Sequence, residues 1–222
     1  MASARASRSK LAGGGLVSAV LLAAGLSRRF GRTKQLADLG GVALVKRAEA
    51  TLARSSVGEV VVVVGHRSSQ VVSALRGTSA RVVVNEKYRT GLGSSLKAGI
   101  LALSDESRAA VICLADQPFV TVELIDRIVS RHLETGAEVV VSASGELISP
   151  PVLFSRSIFA ELTSIPGDRG AKAIIERHPD SEKVRVKRET LLDVDTEQDL
   201  ERASRMLTPE KIRGRARPAG RP

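Results

Sequence analysis

The stretch Leu16-Val17-Ser18-Ala19-Val20-Leu21-Leu22-Ala23-Ala24-Gly25-Leu26-Ser27-Arg28-Arg29-Phe30-Gly31-Arg32-Thr33-Lys34 joins an apolar run to a small, cationic turn. The run over 17–22 reads as a strand buried on both faces, hence one in a parallel sheet. Residues 25–34 then supply two glycines, a serine, three arginines and a lysine. Backbone N–H groups and cations at the end of a strand suit a polyphosphate. An exposed, solvated turn is the alternative. The spacing is not that of a Walker loop, because Lys34 comes three residues after Gly31. The dinucleotide fingerprint G-x-G-x-x-G is absent from the whole chain, which weakens a reading as an NAD or FAD binder.

Outward from this stretch, strands and helices alternate. Short apolar runs at 60–64, 81–84, 109–114 and 138–142 predict four more buried strands. Helical patterning falls at 43–54, 69–75, 94–103 and 122–134. The order is βαβαβ, so the expected fold is α/β: three layers, with a mostly parallel central sheet between helices. Ligands of such sheets sit at the carboxyl ends of the strands, where the opening turn lies. The last third is less regular. Residues 150–154 read as a short extended piece and 183–187 as a strand. Residues 168–176 read as a helix, and Thr196 as the N-cap of another.

The chain has 222 residues, enough for one α/β domain with a real core. Only 2% are aromatic, so that core must be aliphatic. The net charge of +10 invites a nucleic-acid reading, but its distribution argues against one. Residues 1–10 carry three net positive charges and residues 208–222 carry four. Residues 1–15 and 208–222 therefore read as disordered basic tails around a domain at 16–207. No apolar run reaches the ~18 residues that span a bilayer. The lone cysteine, Cys113, excludes an internal disulfide and fits a cytoplasmic location. His66, His132 and His178 are scattered, so a structural zinc site is not expected.

Three further segments carry chemistry. Ala110-Val111-Ile112-Cys113-Leu114-Ala115-Asp116-Gln117-Pro118 ends a buried strand on a carboxylate, in the crevice. One carboxylate plus substrate phosphates commonly holds Mg²⁺. The alternative is a helix cap, a role that Thr121 fills better. Asp193-Val194-Asp195-Thr196 places two carboxylates on one face if the segment is extended. They complete a metal site, or they are solvent-facing acids at a helix start. Asn85 to Leu96, with Gly91, Gly93, Ser94 and Ser95, offers small residues and hydroxyls to a flat base, or is an ordinary capped helix start. No Ser-His-Asp or Cys-His set is visible, and metal-assisted phosphoryl chemistry is the reading these residues support best.

Taken together, these segments resemble the NTP-transferase group that nucleotidylates the molybdenum cofactor. The matching motifs are 22–34, 91–99 (G-x-x-x-S-L-x-x-G), 114–118 (L-A-D-Q-P), 150–154 with 167–172, and 193–200. Within the group, Leu22-Ala23-Ala24-Gly25 and the run 167–171 are similar to the cytidylyl branch; guanylyl members usually read L-A-G-G. Ala37-Asp38 departs from the group's usual Leu-Pro.

The resemblance implies a Rossmann-like, nucleotide-diphospho-sugar transferase-like fold. It implies CMP transfer from CTP to the terminal phosphate of a molybdopterin-type cofactor, with Mg²⁺, pyrophosphate release and a recipient molybdoenzyme. Arg29, Lys34 and Asp116 would be catalytic. Leu22, Ala23, Ala24, Gly25, Ser27, Arg29, Lys34, Gly91, Ser94 and Ser95 would bind the nucleotide. Asp116 and Asp195 would hold the metal, and Asp168 and Arg169 would face the acceptor. The rivals are a guanylyl or sugar-phosphate nucleotidyltransferase, an NAD(P)H-dependent oxidoreductase, and a chaperone that carries the cofactor.

Overall fold

The strand β1, Leu16–Ala23, lies inside a seven-stranded sheet, third from one edge. The computed structural model describes residues 16–165 and 170–207. The two expected basic tails lie outside the described residues. β1 is parallel on both sides, to β2 (Glu59–Val64) and to β4 (Ser107–Leu114). β3 (Arg81–Val84) forms one edge beside β2. Beyond β4 come β6 (Leu147–Ser155), β5 (Val139–Ser144) and, at the far edge, β7 (Glu182–Arg185). Among the described strands only β6 runs antiparallel.

The unbroken apolar runs follow from burial on both faces. β1 sends Val17, Ala19, Leu21 and Ala23 into one core, with Val45 and Leu52 of α1 (Leu44–Leu52), Val71 of α2 (Ser68–Ala74) and Leu124 and Ile128 of α4 (Val122–Thr135). It sends Val20 and Leu22 into the other, with Leu96 and Ile100 of α3 (Leu92–Leu101), Leu162 of α5 (Phe159–Ser164) and Ile174 of α6 (Lys172–Ile175). The result is the expected three-layer α/β fold. A third, smaller cluster joins Phe30, Leu39, Leu44 and Val194 to Leu200 and Ala203 of α7 (Glu197–Met206).

The last third departs most from expectation. Residues 150–154 are the middle of a nine-residue strand, not a short extended piece. Two prolines cannot donate to a ladder, and the β5–β6 register shifts at Val141/Ser142, opposite them. Helix α5 follows β6 with no counterpart among the expected elements. Of the helix expected over 168–176, the described part is α6; its start at Gly167-Asp168 lies outside the described residues. Asp38 helps form a tight turn, accepting from the Gly41 N–H at 2.9 Å, and α1 begins only at Leu44.

Candidate active site

All parallel strands end on one side of the sheet, and there the opening turn closes on itself. The Ser27 hydroxyl accepts from the Lys34 backbone N–H at 3.1 Å and donates to Gln35 Oε1 at 3.2 Å. Gln35, buried, donates from Nε2 to the Gly25 carbonyl at 3.1 Å. Ser27 and Gln35 therefore hold residues 25–35 in shape from within. Phe30 is buried beneath the turn, against the cluster that carries α7.

Lys34 then lies between two carboxylates. Its ammonium pairs with Asp116 Oδ2 and, at 2.8 Å, with Asp195 Oδ1. Asp116 follows β4, and its neighbour in the sheet is β1. Asp195 precedes α7, where Thr196 and Asp199 form a capping box. Arg29 also reaches Asp195, at 2.7 Å, with its own side chain largely exposed. Arg32 pairs with Glu197 at 2.6 Å.

Residues 192–195 form no sheet ladder, yet they alternate. The Val194 N–H donates to the Asp116 carbonyl at 2.9 Å, and its side chain is fully buried in the α7 cluster. Asp193 and Asp195 flank it, and Asp193 lies within the field of Asp116. Packing around Asp193 and the charges of Asp116 and Asp195 push its pKa up to about 6, against a hydrogen bond from Gln117 and the charge of Lys34. Asp193 nonetheless stays exposed to solvent on its outer side. Burial disfavours charge on Lys34, but Asp116 and Asp195 outweigh it and hold its pKa above the ordinary value.

A cavity of about 390 Å³ opens in front of this cluster. Leu22, Ala24, Gly25, Lys34, Gly91, Ser95 and Asp116 line it, all named from the sequence. Ala23 instead faces the opposite core. The Ser94 hydroxyl is used internally, on the Lys87 and Gly91 carbonyls at 2.9 and 2.8 Å. Arg29, Ser27 and Asp195 are not among the residues that line it; Arg29 and Asp195 join it through the Lys34 cluster. Asp168 and Arg169 lie outside the described residues.

The sequence reading passed over Arg28, Gln35, Tyr88 and Arg89, which line the same cavity. Tyr88 and Arg89 lie in the segment 85–96, ahead of its small residues. Asn85 organises that segment, donating to Ser94 Oγ at 2.9 Å and Ser95 Oγ at 3.0 Å and accepting from the Lys87 N–H at 3.0 Å. Gly65 lets Tyr88 close in: a Cβ there would lie 2.6 Å from Tyr88 Cβ and 2.9 Å from Ala24 Cβ.

The donor set fits a hard divalent cation. Asp116 Oδ1 is buried and has no hydrogen-bond partner, an orphaned carboxylate oxygen at the cavity. No group of three or more His, Cys, Asp or Glu side chains gathers at metal-binding distance among the described residues. Two carboxylates suffice for Mg²⁺, which keeps waters and takes phosphate oxygens for its other positions.

The sequence profile of the MobA-like NTP transferase domain matches residues 19–183. The chain belongs to that family. It is 31% identical over 193 residues to a probable molybdenum cofactor guanylyltransferase of Mycobacterium avium, covering 83% of this chain and 93% of that one. It is 30% identical over 172 residues to the nicotine blue oxidoreductase of Paenarthrobacter nicotinovorans, covering 73% of this chain and 83% of that one. Among solved structures, the manganese complex of Rv0371c from Mycobacterium tuberculosis H37Rv superposes with a TM-score of 0.75 at 26% identity, covering 86% of this chain and 99% of that one. The protein is thus an enzyme of the nucleotidyltransferase type. No helix among the described residues is long and apolar enough to cross a membrane.

Proposed function

We propose that this enzyme transfers CMP from CTP to the terminal phosphate of a molybdopterin-type acceptor and releases pyrophosphate, with Mg²⁺, in the cytoplasm. The observation that carries the reading is Lys34 held between Asp116 and Asp195 beside a cavity that also presents Arg28 and Arg89. Such a cluster can exchange its internal ion pairs for a triphosphate and a cation. Support for the acceptor is the similarity to a probable molybdenum cofactor guanylyltransferase. Support for cytosine is Leu22-Ala23-Ala24-Gly25, which is similar to the cytidylyl branch; Leu22, Ala24 and Gly25 line the cavity.

In this reading the protein mainly positions and neutralises, as phosphoryl-type transfer requires. The Lys34 ammonium and the Arg29 guanidinium take the triphosphate, with the backbone N–H groups of 24–27. Asp116 and Asp195, freed of these cations, would hold Mg²⁺, which when bound neutralises phosphate oxygens. Ser27 and Gln35 keep the turn in shape, so that little reorganisation remains at the reacting α-phosphorus. The product would pass to a recipient molybdoenzyme.

The test is pyrophosphate release with CTP, GTP and ATP, with and without molybdenum cofactor, in Mg²⁺. Turnover with CTP and the cofactor alone is expected. Turnover with GTP instead would move the assignment to a guanylyl enzyme. NAD(P)H oxidation without pyrophosphate release would replace transfer by a reductase activity.

A further inference from the structure

Gln117, next to the carboxylate of Asp116, is only 1% exposed, and its side chain joins two other segments. Nε2 donates to Ser149 Oγ of β6 at 2.9 Å, and the amide also hydrogen-bonds Asp193. Oε1 is buried with no hydrogen-bond partner. A buried amide that leaves its acceptor unpaired costs stability. What the amide gives in return lies on its donor side.

That side completes the frame of the site. The β4–β6 ladder stops at Ile112 and Val152, and the next residues of β6 toward the active face, Pro151 and Pro150, have no N–H to give. Beyond them, the Gln117–Ser149 bond ties β6 to the turn that follows β4.

Residues 193–195 are docked by three bonds: Asp193 to the Gln117 amide, the Val194 N–H to the Asp116 carbonyl at 2.9 Å, and the Asp195 N–H to Asp199 Oδ2 at 3.2 Å. In the protein alone, Lys34 draws Asp116 and Asp195 together. Once Lys34 turns to a triphosphate, the two carboxylates repel each other, and the spacing that one cation requires falls to the bonds that hold their segments. We propose that Gln117 is a positioning residue for the divalent cation: its amide, anchored on Ser149, holds the 193–195 segment against Asp116, so that Asp116 and Asp195 meet one ion. This rests on the metal assignment above. It goes further in giving the task to a side chain that is not part of the nucleotide cavity.

Gln117→Met keeps much of the volume and removes the amide. Calorimetry of CTP binding to the full chain, once in Mg²⁺ and once in EDTA, tests the proposal without reference to turnover. Affinity in Mg²⁺ is expected to fall by about tenfold or more, the scale on which residues behind a metal's ligands act. Affinity in EDTA is expected to stay the same, because the turn at 25–35 is untouched. The melting temperature should hold or rise with the unpaired oxygen gone. A Mg²⁺ effect equal to that of the unaltered chain overturns the proposal. So does an equal loss in Mg²⁺ and in EDTA, which marks a merely structural role. Ser149→Ala is read in the same way if the first variant folds poorly. CTP binding by the unaltered chain that is indifferent to Mg²⁺ registers separately: it would overturn the metal assignment itself, and the proposal with it.

Discussion

Lys34 and Asp195 stand 161 residues apart in the chain, and the ammonium donates to the carboxylate at 2.8 Å. With Asp116 on the other side, Lys34 closes the first quarter of the chain onto its end. The pairing is partly buried, so it is worth more than an exposed surface pair. Two groups assigned to opposite tasks, phosphate and metal, thus neutralise each other in the protein alone.

Removing either side should stop the reaction. Lys34→Ala and Asp116→Ala are each expected to lower pyrophosphate release by about 10²–10³ or more, the usual cost of one preorganised charge. Circular dichroism should remain that of the folded chain. Near-normal turnover in either variant would refute the assignment.

CTP and Mg²⁺ should bind as a pair. While Arg29 and Lys34 occupy Asp195 and Asp116, a lone cation meets occupied carboxylates and a lone triphosphate meets occupied cations. Calorimetry is expected to give CTP binding at least about tenfold weaker in EDTA than in Mg²⁺, a coupling of ordinary size. Equal affinities would contradict the exchange of partners.

Glu49 makes stability depend on pH. Its side chain is 3% exposed and Oε1 has no hydrogen-bond partner. Burial raises its pKa, only partly opposed by Lys46. A carboxyl raised in the folded state gives stability that is full below its unfolded pKa and is lost as pH rises through the folded value. Glu49→Gln should therefore match the parent near pH 4 and exceed it at pH 7–8. A gain of about 1 kcal/mol, or about 2–4 °C in Tm, is the expected scale. A Tm difference that stays constant from pH 4 to 8 would contradict this account.

Gly99 should act on nucleotide binding from a distance. It lies on α3 against Val20 of β1, so a Cβ there collides with Val20 Cγ1 and presses on Val63 Cγ2 at 3.1 Å. Gly99→Ala is expected to cost about 1–3 kcal/mol by overpacking. It should also raise the KM for CTP, because the same helix begins at Gly91 to Ser95. Unchanged stability together with unchanged KM would show that the sheet yields freely.

Gly99 also marks where the sequence spoke and where it did not. As the last glycine of the motif 91–99 it was legible as a pattern, yet its contacts are with the core and not with a ligand. The strands were legible because burial on both faces leaves unbroken runs of Val and Ile. β6 was not, since two prolines interrupt its middle and its pairing survives by a shift in register. At the site, Lys34, Asp116 and Asp195 stood out as charges at the ends of apolar runs. Arg28, Tyr88 and Arg89 did not, because only the closure of two loops over Gly65 brings them to one cavity. Nothing in the sequence announced that Ser27 and Gln35 bond to each other instead of facing outward.

Because β6 runs against its neighbours, the chain enters it on the side where all the parallel strands end. The β5–β6 connection at 144–147 therefore overhangs the active face. Everything assigned to the nucleotide is in place before residue 122, apart from Asp195; the hairpin and α6 come later. The molecule is in effect an interchangeable tool: a fixed grip for the triphosphate, with a jaw that can be refitted. Exchanging residues 144–148 alone should redirect what is modified and leave untouched how the bond is made.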